Sequence, residues 1–286
     1  MAQTTKAAAK AAAKAKSGAV VPRASAAVDS PKSWGSLAGA GFQNQSRDDI
    51  TLPFLTIVQG NPPALADNEA AKDGMWYNTV TGEVYGSDVV VVPVFTEKAY
   101  VEWRPDRGGF AGVHSPTSDV VADAKADAAE RGRKFNELQH GENDLEETFY
   151  VYCLVLGAVD HTAPKEFAVL AFKSTWIKHY RKANTGWRTR PGLPPLFANR
   201  VRLSSKIEKD GKYTWWVPVL KPALGETWED ASLPMPENIA DSKTWHPLLL
   251  AGKDMEHQVE AGLVRPDFST EVREATPESG SDDTPY

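Results

Sequence analysis

The run VVVVPVF (residues 89–95), with the alternating stretch that follows it from Lys98 to Arg104, decides the fold class. Consecutive β-branched apolar residues of this length predict a buried strand. Pro93 cannot donate to a ladder, so it marks an edge or a bulge. Working outward, ETFYVYCLVL (147–156) predicts a second buried strand, a turn follows near Gly157, and EFAVLAF (166–172) predicts a third. On the N-terminal side, TLPFLTIVQG (51–60) reads as a short strand interrupted by Pro53, followed by a turn at Pro62 and Pro63. A second turn at Asn78–Gly82 precedes a strand at Glu83–Tyr85, and Tyr213–Leu220 alternates as strands do. Helices are few. The Ala-rich, charged stretch 119–139 predicts a helical insertion. Ser174–Ala183 predicts a second helix, with Ser174 as N-cap and Gly186 just past its end. In that helix the spacing allows Trp176, Ile177 and Tyr180 to pack inward, with Lys178, Arg181 and Lys182 facing out. Five or six strands, long connections and few helices predict a mainly β, α+β chain. The leading form is an oligonucleotide-binding (OB-like) β-barrel with elaborated loops.

The chain has 286 residues and a net charge of −6, but the charge is segregated. Residues 1–33 hold twelve alanines and six Lys/Arg against the single acid Asp29, which predicts a disordered basic arm. A merely solubilising tail or a transit peptide are the other readings of that composition. Residues 267–286 carry six acids against Arg273, which predicts a disordered acidic tail. Between them, 34–266 is expected to form one domain with a helical insertion at about 106–146. No stretch of about 18 apolar residues occurs, so no membrane span is expected, and no secretory apolar segment stands near the start. The single cysteine, Cys153, excludes an internal disulfide framework and any multi-cysteine metal site. It lies in an apolar strand and reads as an inert core thiol. A reducing, cytoplasmic setting follows.

Residues 172–216 contain eleven Lys/Arg against Glu208 and Asp210, a net +9 that leaves −15 for the rest of the chain. Eight of the 27 aromatic residues share that window. Single-stranded nucleic acid asks for cations along its phosphates and aromatic faces for its unstacked bases. The candidate DNA-binding residues in the stripe are Lys173, Trp176, Lys178, Tyr180, Arg181, Lys182, Trp187, Arg188, Arg190, Arg200, Arg202, Lys206 and Trp215. Trp103, Arg104 and Arg107 repeat the pattern at a strand end, beside glycines that let a loop approach a backbone closely. Trp176, Trp187 and Trp215 are the rings expected to face solvent. The competing reading makes the aromatics core and leaves the cations to solvate a surface.

Catalytic motifs are missing. The six histidines show no HxH or HExxH spacing, and no nucleophile elbow, Walker loop or GxGxxG fingerprint occurs. No enzyme, metal or cofactor is therefore expected, although scattered carboxylates leave a metal-dependent nuclease open.

The segment SDDTPY (281–286) places an aromatic ring and a carboxylate after a proline and paired acids. It resembles the tip of bacterial single-stranded DNA-binding proteins, with Tyr286 in place of phenylalanine and only Asp282 and Asp283 as adjacent acids. The body does not resemble the bacterial type. Through LPFLTIVQG, YNTVTGEVY, VVVVPVF and YVEWRP it resembles phage-encoded single-stranded DNA-binding proteins over about residues 51–220. That resemblance implies a non-sequence-specific single-stranded DNA-binding protein of phage replication, recombination or repair, located in the host cytoplasm. It also implies a tip (Asp282, Asp283, Pro285, Tyr286) that recruits replication and recombination proteins and competes with DNA for the basic groove. Homo-oligomers are left open. A phage scaffold or interaction protein with an acidic partner, and an accessory for double-stranded DNA, are the alternatives.

Overall fold

The computed structural model describes residues from 51 to 266, except 61, 63–64, 67, 106–108, 135–136, 158–165, 232–244 and 262–264. The basic arm, the acidic tail and Arg107 lie outside the described residues. The strands in chain order are β1 (Thr51–Leu52), β2 (Leu55–Ile57), β3 (Trp76–Asn78), β4 (Val84–Gly86), β5 (Val89–Trp103) and β6 (Phe110–His114). They continue with β7 (Leu138–His140), β8 (Asn143–Gly157), β9 (Glu166–Lys173), β10 (Val201–Asp210), β11 (Tyr213–Pro222) and β12 (Arg265–Pro266). The helices are α1 (Asp119–Glu130), α2 (Ile177–Arg188) and α3 (Trp245–Glu260). Among the described residues no helix is long and apolar enough to cross a membrane.

The centre of the fold is the antiparallel pair β5–β8, fifteen residues on each side. The expected bulge at Pro93 is present: the register shifts between Pro93 and Phe95. An inserted residue reverses which side chains face which way. Before the bulge Val90 and Val92 enter one core cluster; after it Ala99, Val101 and Trp103 do, with Tyr150, Tyr152 and Leu154 of β8. Val89 and Val91 fall on the opposite face with Val151, Cys153 and Val155. The four valines are buried because both faces of this strand are covered.

The seven-stranded sheet runs β11-β10-β5-β8-β7, with β6 joined to β5 and β9 to β8. This corrects the expected closed barrel. The free edge of β5 is shared, Val89–Val91 pairing with β10 and Tyr100–Trp103 with β6. The sheet therefore forks, and among the described residues its ends do not meet. What holds is a mainly β, α+β architecture. The segment expected as a helical insertion contributes α1 but also β6 and β7, which extend the main sheet. A small sheet, β2-β3-β4, places Leu55, Ile57 and Trp76 in the cluster that also holds Trp176, Tyr180 and Trp187 of the α2 region. On the other face, Met255 of α3 joins the cluster of Val94, and a Cβ at Gly252 would lie 3.5 Å from Val94 Cβ. Cys153 is fully buried; its Sγ donates to the Ala168 carbonyl at 3.3 Å, and burial pushes its thiol pKa up.

Helix α2 corrects two local expectations. Ser174 makes no capping bond and opens a 3-10 turn at a φ of 46°. Gly186 lies inside the helix, which continues to Arg188. A Cβ at Gly186 would fall 2.4 Å from Trp228 Nε1, so this glycine admits Trp228, whose ring meets Trp187 edge-on at 5.7 Å.

Gly74 packs on the β10–β11 hairpin at a φ of 86°, with Trp216 ring atoms 2.6–2.8 Å from where a Cβ would stand. Gly74→Ala combines a left-handed backbone with overpacking and is expected to lose about 2–4 kcal/mol in urea unfolding. A variant as stable as the parent would remove Trp216 from this contact.

Candidate nucleic-acid interface

The sequence-derived stripe divides into a buried half and an exposed half. Trp176, Tyr180 and Trp187 lie on the inward face of the α2 region at helical spacing, and all three are buried. Trp176 Nε1 donates to the Trp216 carbonyl at 3.3 Å, and Tyr180 stacks on Phe149 with centroids 4.8 Å apart. The rings expected at the surface are therefore core in two of three cases. Trp215 is half-buried and packs against the same cluster. Trp103 is 2% exposed, meets Phe110 edge-on at 6.3 Å and lies beneath Lys173 Nζ at 5.3 Å. None of Trp103, Trp176, Tyr180 and Trp187 can stack on a base as folded. The reason is that each shares a strand or helix with cations of opposite facing, and the apolar ring takes the core side.

Three arginines of the stripe hold structure. Arg190 is buried, donating to the Trp228 carbonyl at 2.9 Å and to Asn199 Oδ1 at 2.6 Å. Arg200 Nε donates to the Ala231 carbonyl at 3.2 Å, and Arg202 Nη2 to that of Ala223 at 3.1 Å. Together they fasten the segment 223–231 to the sheet. Lys173 is likewise buried. Arg190 and Lys173 are thus corrected from exposed phosphate contacts to buried groups.

The remaining cations are exposed. Lys178, Arg181, Lys182 and Arg188 follow one another along the outward face of α2, a line about 15 Å long. Lys206 of β10 stands beside the line, because Glu208 Oε2 accepts from Lys178 at 2.6 Å while its Oε1 lies 3.1 Å from Lys206 Nζ. Burial would raise the Glu208 carboxyl, but hydrogen bonds and charge from these two lysines bring it below the ordinary range. Burial holds the neighbouring His179 imidazole below its usual range, against the pull of Glu208. Glu147 of β8 has the same function: its Oε2 accepts from Arg181 Nη2 at 2.9 Å and its Oε1 pairs with Lys98. Both cations lie over half-buried Phe149, at 5.7 and 5.4 Å. Arg104 is exposed at the far end of β5. The structure thus brings Lys178, Arg181, Lys182, Arg188 and Lys206 together.

One polar group carried no signal in the spacing of the chain. Glu102, His114 and His140 come from β5, β6 and β7, and their donor atoms lie within 4.8 Å of one another. Glu102 is 7% exposed. Its Oε2 is 2.7 Å from His114 Nε2; its Oε1 is 2.9 Å from His140 Nδ1 and accepts from Asn143 Nδ2 at 2.8 Å. Burial would raise this carboxyl, but the bonds from Asn143, His114 and His140 outweigh it and hold the pKa at about 2. These are the residues whose donors could hold a metal ion among those described.

On sequence grounds this mainly β chain is a phage protein. The family model of the Pam3 phage gp34-like protein matches residues 22–231 of the 286, and the chain belongs to that family. The phage setting inferred from the sequence is supported at that level. No curated protein and no solved structure matches the chain.

With its ring wholly inside, Trp176→Ala is expected to lose about 3–5 kcal/mol of stability, as other buried tryptophan truncations do. Chemical denaturation measures it. Unchanged stability would put the ring back at the surface.

Proposed function

We propose that the protein binds single-stranded DNA without sequence specificity and acts in phage DNA replication or recombination. The observation that carries this reading is the line Lys178, Arg181, Lys182 and Arg188 on α2 with Lys206 beside it, in a chain that is acidic overall. Such a surface follows a phosphate backbone by charge and needs no base contact. The rings left for stacking are the half-buried Phe149, Tyr213, Trp215 and Trp216, so charge contributes more than the sequence pattern implied. The acidic segment 267–286, with a net −5, competes for the same cations when DNA is absent and, through Asp282, Asp283, Pro285 and Tyr286, meets replication and recombination proteins. No catalytic role is part of this reading.

Anisotropy titration of labelled dT oligonucleotides and a matched duplex tests it. The single strand is expected to bind more tightly, with affinity falling by about 0.7 log units per neutralised phosphate for each tenfold rise in salt. Lys182→Glu with Arg188→Glu is expected to weaken binding at least tenfold while leaving the fold intact, since both side chains are exposed. Duplex preference would support the double-stranded accessory. Absence of binding to either would assign the cationic face to an acidic protein partner.

Glu208 and Glu147 set the charge of this face. Glu208→Gln releases Lys178 and Lys206 and is expected to tighten single-strand binding several-fold at low salt, the gain shrinking as ions screen it. Deleting 267–286 is expected to do the same. Weaker binding in either variant would oppose the electrostatic account.

A further inference from the structure

We infer that Glu102, His114 and His140 form a binding site for one divalent transition-metal ion of the zinc type. The register of the sheet builds it. Four adjacent strands, β6-β5-β8-β7, meet at this end of the molecule, with Tyr100 opposite His114, Glu102 opposite Gly112 and Leu145, and His140 opposite Asn143. Alternation places Glu102, His114, His140 and Asn143 on one face, one polar group per strand, next to the apolar patch where Tyr100, Leu138 and Leu145 lie under α1. The donors are thus held by paired backbone on rigid elements, which is what a preorganised site requires.

Charge and chemistry point to a cation. Glu102 is almost fully buried, yet its three partners are two imidazoles and an amide, none a permanent cation. A buried carboxylate calls for a positive charge. A metal ion supplies it and leaves the imidazoles neutral, as ligation requires. Two imidazole nitrogens and one carboxylate oxygen are a donor set of zinc and its neighbours, and unlike that of calcium or magnesium. Asn143 donates to Glu102 Oε1 and so fixes the carboxylate from behind, the arrangement that orients metal ligands. Gly112 keeps the approach open: a Cβ there would sit 3.5 Å from Glu102 Oε2 and 3.6 Å from His114 Nε2. Three protein ligands leave a further position for water. Bound there, the ion ties β5, β6 and β7 together at the end of the sheet.

The test uses the full chain after treatment with a chelator, titrated with Co2+ and followed by its visible d–d absorption. The expected result is one equivalent bound, with bands of a four- or five-coordinate nitrogen–oxygen site that one equivalent of Zn2+ abolishes. Zn2+ should also raise the Tm, and Mg2+ and Ca2+ should not. His140→Ala, whose side chain is half exposed, is expected to fold normally and to lose Co2+ affinity at least tenfold; His114→Ala should do the same. Far-ultraviolet circular dichroism of each variant separates loss of the site from loss of the fold. Absence of the bands, or bands that persist in both folded variants, would overturn the assignment and leave a hydrogen-bonded carboxylate. DNA binding enters none of these readouts.

Discussion

Everything else in the fold hangs on the pairing of β5 with β8. Their ladder joins residues some fifty positions apart and leaves each strand one outer edge, which β10 and β6 take on β5 and β9 and β7 take on β8. The bulge after Pro93 allows a single strand to serve two differently phased patterns, Val90 and Val92 before it and Val101 and Trp103 after it. Without it, one half of β5 would turn its apolar side chains away from its neighbours. The same ladder carries Glu147 and Glu102, so both the cationic surface and the carboxylate–imidazole cluster inherit their geometry from it.

The surface and the core of α2 are two sides of one short sequence. Trp176, Tyr180, Ala183 and Trp187 occupy one stripe, and Lys178, Arg181, Lys182 and Arg188 the other. The helix is held by apolar burial on one side, so its cations stand in fixed relation to the sheet. Glu208 and Glu147 reach up from β10 and β8 between them, keeping pairs of like charges from repelling one another. A bound polyanion would exchange with those carboxylates rather than meet bare cations.

What could be read from the chain alone follows period and composition. The β5, β8 and β9 runs are apolar, and that of β5 is β-branched, so their strands and the Pro93 bulge were legible. Closure of the sheet was not, because it depends on which strands share the edge of β5, a choice made by contacts distant in sequence. The aromatics of the stripe were misplaced for a physical reason: tryptophan serves equally as a core anchor and a stacking platform, and composition does not tell the two apart. Arg190 looked like a phosphate contact because its true partners, Asn199 and the Trp228 carbonyl, are revealed only by folding. The cluster at Glu102 left no trace in spacing, since its members are joined across strands and not along one.

The position of Cys153 gives this chain a built-in reporter. The thiol sits at the middle of the β8 ladder, wholly enclosed and bonded to the Ala168 carbonyl, and it is the one sulfhydryl in the sequence. Its carbonyl partner lies on β9 and its ladder partner Pro93 on β5, so the strands on both sides of β8 enclose it. A thiol-specific reagent therefore labels the native protein when β8 separates from these neighbours, and the labelling rate follows that opening.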